Sequence, residues 1–265
     1  MVAGRCADRL TRARYEGLWV VPVAGGPARQ RSDAPGAGFG FAWAPDGTAL
    51  VARTARVDGL RRFHRLTRID ATTGAATALT EERASLPALP QWAGPRHVAL
   101  YADGALDVIP LDDAARTQAP QPAVIAAGSA LAVAGAGGLR TVRDEGAPIL
   151  NLAPSPDGRR VAYEVYGGGL VVVDLADGTR IDLGPGSRPS WSPDGAWVVA
   201  QVTADDGHAI TASDLVAVRS DGSDRVALTQ TPGRLEMNPA WSPDGTRIAF
   251  DDAESGALYL LPVSR

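Results

Sequence analysis

The chain has 265 residues, with 26 basic and 30 acidic side chains and a formal net charge of −4. This length suits one domain with a continuous core, and the mildly negative charge gives no reason to expect nucleic acid as a partner. No stretch approaches the roughly 18 apolar residues that a membrane helix needs, so membrane insertion is not expected. Cys6 is the only cysteine, which excludes an internal disulfide and a thiolate metal site.

One turn motif recurs along the chain. Its four copies are Trp43–Gly47, Pro154–Gly158, Trp191–Gly195 and Trp241–Gly245, and each contains Pro-Asp-Gly. Pro fixes φ at the second turn position, Asp suits the third, and Gly takes the left-handed residue that follows. The pattern is typical of a hairpin with a glycine bulge. The aspartates are therefore predicted to be structural turn residues: Asp46, Asp157, Asp194 and Asp244.

The spacing of these turns predicts a repeat protein. A short strand of largely apolar or β-branched residues follows each turn, and Asp157 and Asp194 are 37 residues apart. The interval from Asp46 to Asp157 is three times that length. This period fits one four-stranded blade of a β-propeller. The tryptophan that ends each inner strand would pack between neighbouring blades. These tryptophans are Trp43, Trp92, Trp191 and Trp241.

In chain order, inner strands are predicted near residues 43, 92, 131, 154, 191 and 241, which gives six blades. Outer-strand residues 17–23 begin the array and a third strand, 258–261, ends it. Pairing these two segments would close the ring and hide both sheet edges. Five blades result if residues 123–152 form only a loop, and seven if the N-terminal strands form their own blade. In every case residues 1–265 are expected to be one all-β domain.

These repeats resemble the TolB-like, WD-repeat-like β-propellers. Blades of that family carry Pro-x-Trp-Ser-Pro-Asp-Gly, an apolar strand, Gly-x-(Leu/Ile)-Tyr and Leu-Thr, and residues 189–229 and 239–263 match best. Because unrelated functions share this scaffold, the resemblance predicts the fold more than the function. A complete scaffold without a recognisable catalytic set leads to the hypothesis of a non-catalytic monomer that binds a protein or peptide through its loop face and channel mouth. The resemblance also implies a periplasmic or secreted location. Residues 1–10 lack the apolar segment of a secretory signal, so a trimmed signal and a cytoplasmic location are both left open.

Polar residues concentrate in one long repeat and in the segment after it. The last turn interval is 50 residues instead of 37, and such extra length maps to a loop, where binding residues concentrate. Residues entering an inner strand are predicted to surround the mouth of the central channel. The ligand-binding candidates are Asp205, Asp206, His208, Asp214, Glu236, Asn238 and Arg188. Clustered carboxylate and amide oxygens would suit a hard cation such as Ca²⁺. The alternative is that they form turns, cap strands and pair with arginine, with no cofactor.

The corresponding channel-mouth positions in the other repeats are Phe39, Phe41, Leu86, Leu89 and Asn151. A rim that mixes aromatic, amide, acidic and cationic groups suits a peptide or a small polar ligand. The same mixture of side chains would also fill a narrow pore.

No catalytic residues are assigned from the sequence. The chain lacks a Gly-x-Ser-x-Gly elbow and a phosphate-binding glycine loop. His64, His97 and His208 fall in three different repeats at non-equivalent positions, which disfavours one metal site. The alternative function is a channel-centred, metal-assisted lyase or hydrolase for an acidic glycan, to which the arginine-rich stretch 53–68 would be attractive. A sensor domain of a longer protein is a third hypothesis.

Overall fold

The computed structural model describes residues 2–5, 17–23, 26–38, 40–84, 90–102, 104–135 and 138–263. These residues form β-strands joined by turns, with one short 3-10 helix at Ala115–Thr117. None of them forms a helix long and apolar enough to cross a membrane. The prediction of an all-β chain is confirmed.

The described strands form seven separate sheets, each built from strands that are consecutive in the chain. The first sheet contains β1 (Val2–Arg5), β2 (Leu18–Val21) and β3 (Arg29–Ser32). The second contains β4 (Phe41–Trp43), β5 (Ala49–Asp58), β6 (Arg61–Asp70) and β7 (Ala76–Ala78). The third contains β8 (Gln91–Trp92), β9 (His97–Ala102) and β10 (Ala105–Pro110). The fourth sheet contains β11 (Ala123–Ala127), β12 (Ala130–Gly135) and β13 (Gly138–Asp144).

The fifth sheet contains β14 (Ile149–Pro154), β15 (Arg160–Val165), β16 (Gly169–Asp174) and β17 (Arg180–Gly184). The sixth contains β18 (Ser187–Trp191), β19 (Trp197–Asp205), β20 (Ile210–Arg219) and β21 (Arg225–Ala227). The seventh contains β22 (Glu236–Trp241), β23 (Arg247–Asp252) and β24 (Leu258–Pro262). Contacts divide the chain into two compact units. The first comprises Met1–Ile125 and Ala134–Leu139, and the second comprises Ala126–Val133 and Arg140–Arg265. That residues 1–265 form one domain stays a prediction.

Two details of the predicted strand order differ from the structure. Strands β1 to β3 pair with one another, and β24 pairs with β23 alone among the described strands. Neither six blades nor a ring closed between the terminal strands is therefore confirmed. The inner strand predicted near residue 131 is wrong, because Ala130–Gly135 is the middle strand of its sheet and Ala123–Ala127 precedes it. No turn motif marks this repeat, and an apolar run alone does not distinguish a first strand from a second.

In the first unit, apolar side chains from neighbouring sheets meet in shared clusters. Trp43 packs against a buried cluster that contains Leu18 of β2 and Leu50 of β5. Trp92 packs against a second cluster that joins Leu66 of β6 to Leu100 of β9. Each of these tryptophans thus ends its strand against apolar residues of two sheets.

The second unit repeats this arrangement. Trp191 is 7% exposed and belongs to a cluster that joins Leu170 of β16 to Val198 of β19. Trp241 packs on a further cluster that joins Leu215 of β20 to Phe250 of β23. Large rigid rings at these positions fill the space between sheets, where burial of apolar area is most favourable.

Three of the four Pro-Asp-Gly turns have the same hydrogen-bond pattern. Ser192 Oγ donates to Asp194 Oδ1 at 2.6 Å and accepts from the backbone N–H of Trp197 at 2.9 Å. Gly195 follows with a φ of 68°. The Ser155 and Ser242 copies make the same pair of bonds at the same distances. In the first copy, where alanine replaces the serine, Asp46 instead accepts from the backbone and hydroxyl of Thr48. These aspartates therefore hold turns.

Candidate functional site

Three inner strands of the second unit carry a left-handed residue that is not glycine. Asn151 in β14, Arg188 in β18 and Asn238 in β22 have φ values of 53°, 56° and 53°. Each lies six residues before the aspartate of its turn motif, so the three positions are equivalent in the repeat. We call these three residues the bulge row.

A β-bulge accounts for this backbone conformation. In β14 the pairing with β15 skips from Leu150 to Ala153, and the pairings of β18 and β22 shift at the equivalent places. A bulge inserts an unpaired residue into a strand and re-aims its side chain, and bulges are common beside binding sites. In the first unit, β4 pairs with β5 without such a shift. The bulge row is therefore a feature of these three repeats.

The left-handed conformation is costly at two of the three positions. Arg188 and Asn238 both precede a proline, and a residue before proline is normally extended. Asn tolerates positive φ because its short side chain can hydrogen-bond locally, whereas Arg has no such advantage. Strain of this kind costs on the order of 1–3 kcal/mol and clusters at functional sites.

The two asparagines of the bulge row are each held by an acidic residue on the adjacent strand. Asn151 Nδ2 donates to Glu164 Oε2 at 2.7 Å, and Asn238 Nδ2 donates to Asp251 Oδ1 at 2.9 Å. Both acids lie seven residues after the turn aspartate of their repeat. In the repeat between them this position is Gln201, which is 4% exposed.

Hydrogen bonds between neighbouring sheets connect the three inner strands at equivalent positions. Trp191 Nε1 donates to the backbone carbonyl of Ala153 in β14 at 2.7 Å. The backbone N–H of Trp241 donates to Ser190 Oγ in β18 at 3.0 Å, and the backbone N–H of Asn238 donates to Gln201 Oε1 at 2.7 Å. Because these contacts join equivalent parts of successive repeats, the bulge row follows one end of three adjacent strands.

Arg188 differs from the asparagines beside it. Its side chain is exposed, and within the described part of the chain it forms no ion pair. Asn238 is also exposed, whereas Asn151 is partly buried. The row thus presents a guanidinium between two amides on a strained backbone, an arrangement that can bind a polar or anionic group.

The acidic candidates Asp205 and Asp206 lie at the exposed tip of the β19–β20 hairpin, with His208. Asp205 Oδ1 accepts from the N–H of Gly207 at 3.0 Å. Asp206 Oδ1 accepts from the N–H groups of Ala209 and His208, each at 2.9 Å, and these bonds lower the pKa of Asp206. Both carboxylates therefore shape the turn in which they occur.

Of the remaining candidates, Asp214 lies in β20 of the same hairpin and Glu236 is the first residue of β22. Asp214 Oδ1 accepts from Thr231 N–H at 3.3 Å. Glu236 is fully buried, its backbone carbonyl accepts from Ser213 Oγ at 2.6 Å, and neither carboxylate oxygen has a hydrogen-bond partner. Across the described residues, no three His, Cys, Asp or Glu side chains lie close enough to hold a metal ion. The clustering on which the Ca²⁺ hypothesis depends is not seen in this part of the chain.

The three histidines lie in different parts of the fold, with His208 in the turn between β19 and β20. His97 is buried in β9 with its Nε2 3.0 Å from the carbonyl oxygen of Ala115. In β6, burial lowers the pKa of His64, and the neighbouring Arg53 and Arg62 lower it further. The packing and backbone contacts of His97 give it a structural role in β9.

Two of the five other predicted rim residues, Phe41 and Asn151, are among the described residues. Phe41 packs on the core cluster of the first unit, and Asn151 belongs to the bulge row. Phe39, Leu86 and Leu89 lie outside the described residues. The partners Glu164, Gln201 and Asp251 were missed by sequence reasoning, although alignment of the repeats on their turn aspartates places them at one shared position.

Comparison with known proteins finds matches to parts of the sequence. No family model matches the chain. A TolB homologue of Chlorobium luteolum is 34% identical over 114 residues, which cover 40% of this chain and 24% of that protein. Dipeptidyl-peptidase 5 of Porphyromonas gingivalis is 40% identical over 75 residues, or 28% of this chain and 11% of that enzyme. The chain thus matches about a quarter or less of each relative.

Solved structures extend the likeness across most of the chain. TolB from Acinetobacter baumannii aligns with a TM-score of 0.60 and 14% identity, over 99% of this chain and 63% of that one. An oligogalacturonate lyase in complex with manganese aligns at 0.52 with 16% identity, over 94% and 83%. A nidogen/laminin complex aligns at 0.58 with 10% identity, over 94% and 87%. The chain therefore has a TolB-like β-propeller fold, and part of its sequence is similar to a TolB homologue.

Proposed function

We propose that this chain is a non-catalytic binding module that holds a protein or peptide through the bulge row and the loops beside it. The observation that carries the proposal is the repetition of a polar, left-handed residue at one end of three adjacent inner strands. A fold under no functional constraint would be expected to place glycine at such positions, because glycine adopts positive φ without steric cost.

Several acidic side chains and one histidine are already engaged in structural hydrogen bonds, which supports a non-catalytic role. Asp205 and Asp206 are occupied by the backbone N–H groups of their own turn. His97 is buried against a backbone carbonyl. The turn aspartates likewise accept bonds from their neighbours, as Asp157 does from Ser155 and Arg159. Each of these carboxylates and the His97 ring thus makes hydrogen bonds that hold the local backbone.

The relatives make a protein partner reasonable. One structure of like fold is a nidogen/laminin complex, and the sequence match to a TolB homologue favours work in the periplasm or outside the cell. We further propose that the module acts as a monomer, without nucleic acid and without a bound cofactor.

A peptide-display selection tests this proposal. The immobilised chain would be used to select heptapeptides, and their dissociation constants would be measured by calorimetry for the parent and for Asn238→Ala. Loss of binding in that variant is expected, whereas Arg159→Ala, an exposed change at the opposite end of the strands, should bind like the parent. Selected peptides that bind both variants and the parent equally would overturn the proposal.

An activity screen provides the complementary test. The chain would be incubated with polygalacturonate in the presence of Ca²⁺, Mn²⁺ or Zn²⁺, and unsaturated products followed by ultraviolet absorbance. We expect no product above the protein-free control. Turnover that scales with protein concentration would show a lyase and contradict a non-catalytic role.

A further inference from the structure

We infer that Arg188 is the anchor of the bulge row and binds a single carboxylate on an otherwise uncharged, extended peptide. This inference rests on the proposed binding function and names the chemistry of the partner. It comes from a comparison of the same two positions in three successive repeats.

The middle repeat breaks the charge pattern of its neighbours. On both sides, a neutral asparagine at the bulge is matched by an acid on the adjacent strand, Glu164 in one repeat and Asp251 in the other. In the middle repeat the bulge residue is a cation, Arg188, and the adjacent position is the neutral Gln201. The repeat that carries the positive charge therefore lacks the internal carboxylate that its neighbours possess.

Gln201 does not compensate for that loss, because its side chain carries no charge. Its Oε1 accepts the backbone N–H of Asn238 at 2.7 Å, and among the described residues no hydrogen bond joins it to Arg188. The planar fork of Arg188 is thus left with donors that match a carboxylate in a bidentate geometry. Such a pair is stronger than a bond between neutral groups.

The flanking acids define what kind of anion fits. Glu164 and Asp251 are partly buried beside the two asparagines, so negative charge lies on either side of Arg188 in the row. A polyanion laid along the row would be repelled by both carboxylates, whereas one isolated carboxylate would meet only the guanidinium. The asparagine Oδ1 atoms are acceptors suited to the N–H groups of a peptide backbone. This combination favours an acidic residue within a neutral peptide over an acidic glycan.

Two capped peptides test the inference directly. The probes are acetyl-Gly-Ser-Glu-Ser-Gly-amide and its counterpart with glutamine, titrated into ¹⁵N-labelled protein and followed by NMR. The glutamate peptide is expected to shift the Arg188 Nε–H signal and to bind about two- to fivefold more tightly than the glutamine peptide, as expected for an exposed ion pair. Equal affinity of the two peptides would overturn the inference.

Substitutions distinguish binding through Arg188 from non-specific binding of the peptide. Arg188→Gln should reduce binding of the glutamate peptide to the level of the glutamine peptide, and Arg159→Gln should leave it unchanged. Gln201→Glu supplies the missing internal carboxylate and keeps an acceptor for Asn238 N–H, so it should also abolish the preference for glutamate. A preference retained in Arg188→Gln would contradict the inference, and thermal unfolding would verify that each variant is folded.

The remaining outcomes distinguish the inference from the proposed function. Display-selected peptides that need Asn238 but not Arg188 would leave the binding function standing and overturn the carboxylate anchor. Trigalacturonate that binds more tightly than the glutamate peptide, and through Arg188, would overturn a peptide partner. Absence of any peptide that binds at the bulge row would overturn both.

Discussion

Trp191 Nε1 donates a 2.7 Å hydrogen bond to the backbone carbonyl of Ala153, which lies in the inner strand of the preceding sheet. The same ring belongs to the apolar cluster between those two sheets. One residue of the repeated motif thus joins neighbouring repeats by packing and by a directed bond. Trp241 occupies the equivalent position in the next repeat, but its Nε1 is buried without a partner.

This difference predicts unequal effects of matched substitutions. Trp191→Ala should lower the free energy of unfolding by about 3–5 kcal/mol, the usual result of truncating a buried aromatic. Trp191→Phe should still cost about 1–3 kcal/mol, because it leaves the Ala153 carbonyl without its donor. Trp241→Phe should cost less, since no hydrogen bond is lost. Urea unfolding of the three variants measures these values, and equal costs for the two phenylalanine variants would disprove the role of the bond.

A second prediction concerns the contribution of the Asp244 carboxylate to stability at low pH. Hydrogen bonds from Ser242 and from the backbone and hydroxyl of Thr246 lower the pKa of Asp244 from 3.8 to about 2. The ionised form is therefore favoured in the folded state, and its stabilisation is present above about pH 4 and lost as the pH falls through about 2.

Asp244→Asn isolates this contribution. Asparagine suits the same turn position and cannot ionise, so the parent should lose stability relative to the variant between pH 5 and pH 2. Urea midpoints of both proteins across that range provide the measurement, and the other carboxylates cancel in the difference. A constant difference at all pH values would mean that Asp244 titrates normally in the folded chain.

The turn and the tryptophan were predictable from sequence because both are local. Pro-Asp-Gly prescribes backbone angles at consecutive residues, and the structure has Gly195 at a positive φ as that turn requires. The repeat in residues 123–144 has no such marker, so its strand order was assigned wrongly. The pairing of β1 to β3 with one another depends on competition between distant edges, which no local pattern encodes.

The candidate site was predictable in position but not in geometry. Asn151, Arg188 and Asn238 could be placed before inner strands by their distance from the turns. Their left-handed conformation depends on a bulge, and a bulge is a property of two paired strands. The complete burial of Glu236 was also not foreseeable, because a glutamate at a strand end is ordinarily solvated.

A third prediction concerns Arg160, which connects two sheets of the second unit. Its guanidinium donates to Ser220 Oγ at 3.0 Å and to the Gly195 carbonyl at 2.9 Å, and lies 5.1 Å from the Trp191 ring centroid. Lysine lacks the planar fork that reaches both acceptors, so Arg160→Lys should destabilise by about 1–3 kcal/mol. Arg219 offers a matched control, since it is exposed and stacks on Trp197 at 5.0 Å.

Arg219→Lys should change stability by no more than about 0.5 kcal/mol, as expected for an exposed site. Chemical denaturation of the two lysine variants in parallel gives the comparison. Similar losses at both positions would indicate that stacking, and not the two hydrogen bonds, accounts for the effect of Arg160.

The glycines of the β15–β16 hairpin give the last prediction. Gly167 and Gly169 both have positive φ, 73° and 83°. A Cβ at Gly169 would lie 2.8 Å from the carbonyl oxygen of Gly184 in the adjacent strand, whereas a Cβ at Gly167 would meet nothing within 4 Å. Gly167→Ala should therefore cost only the left-handed strain, about 1–2 kcal/mol. Gly169→Ala must also displace backbone, so its loss should be clearly larger and should appear as weaker hydrogen-exchange protection where β16 pairs with β17. Equal unfolding free energies for the two alanine variants would show that the strands separate at no cost.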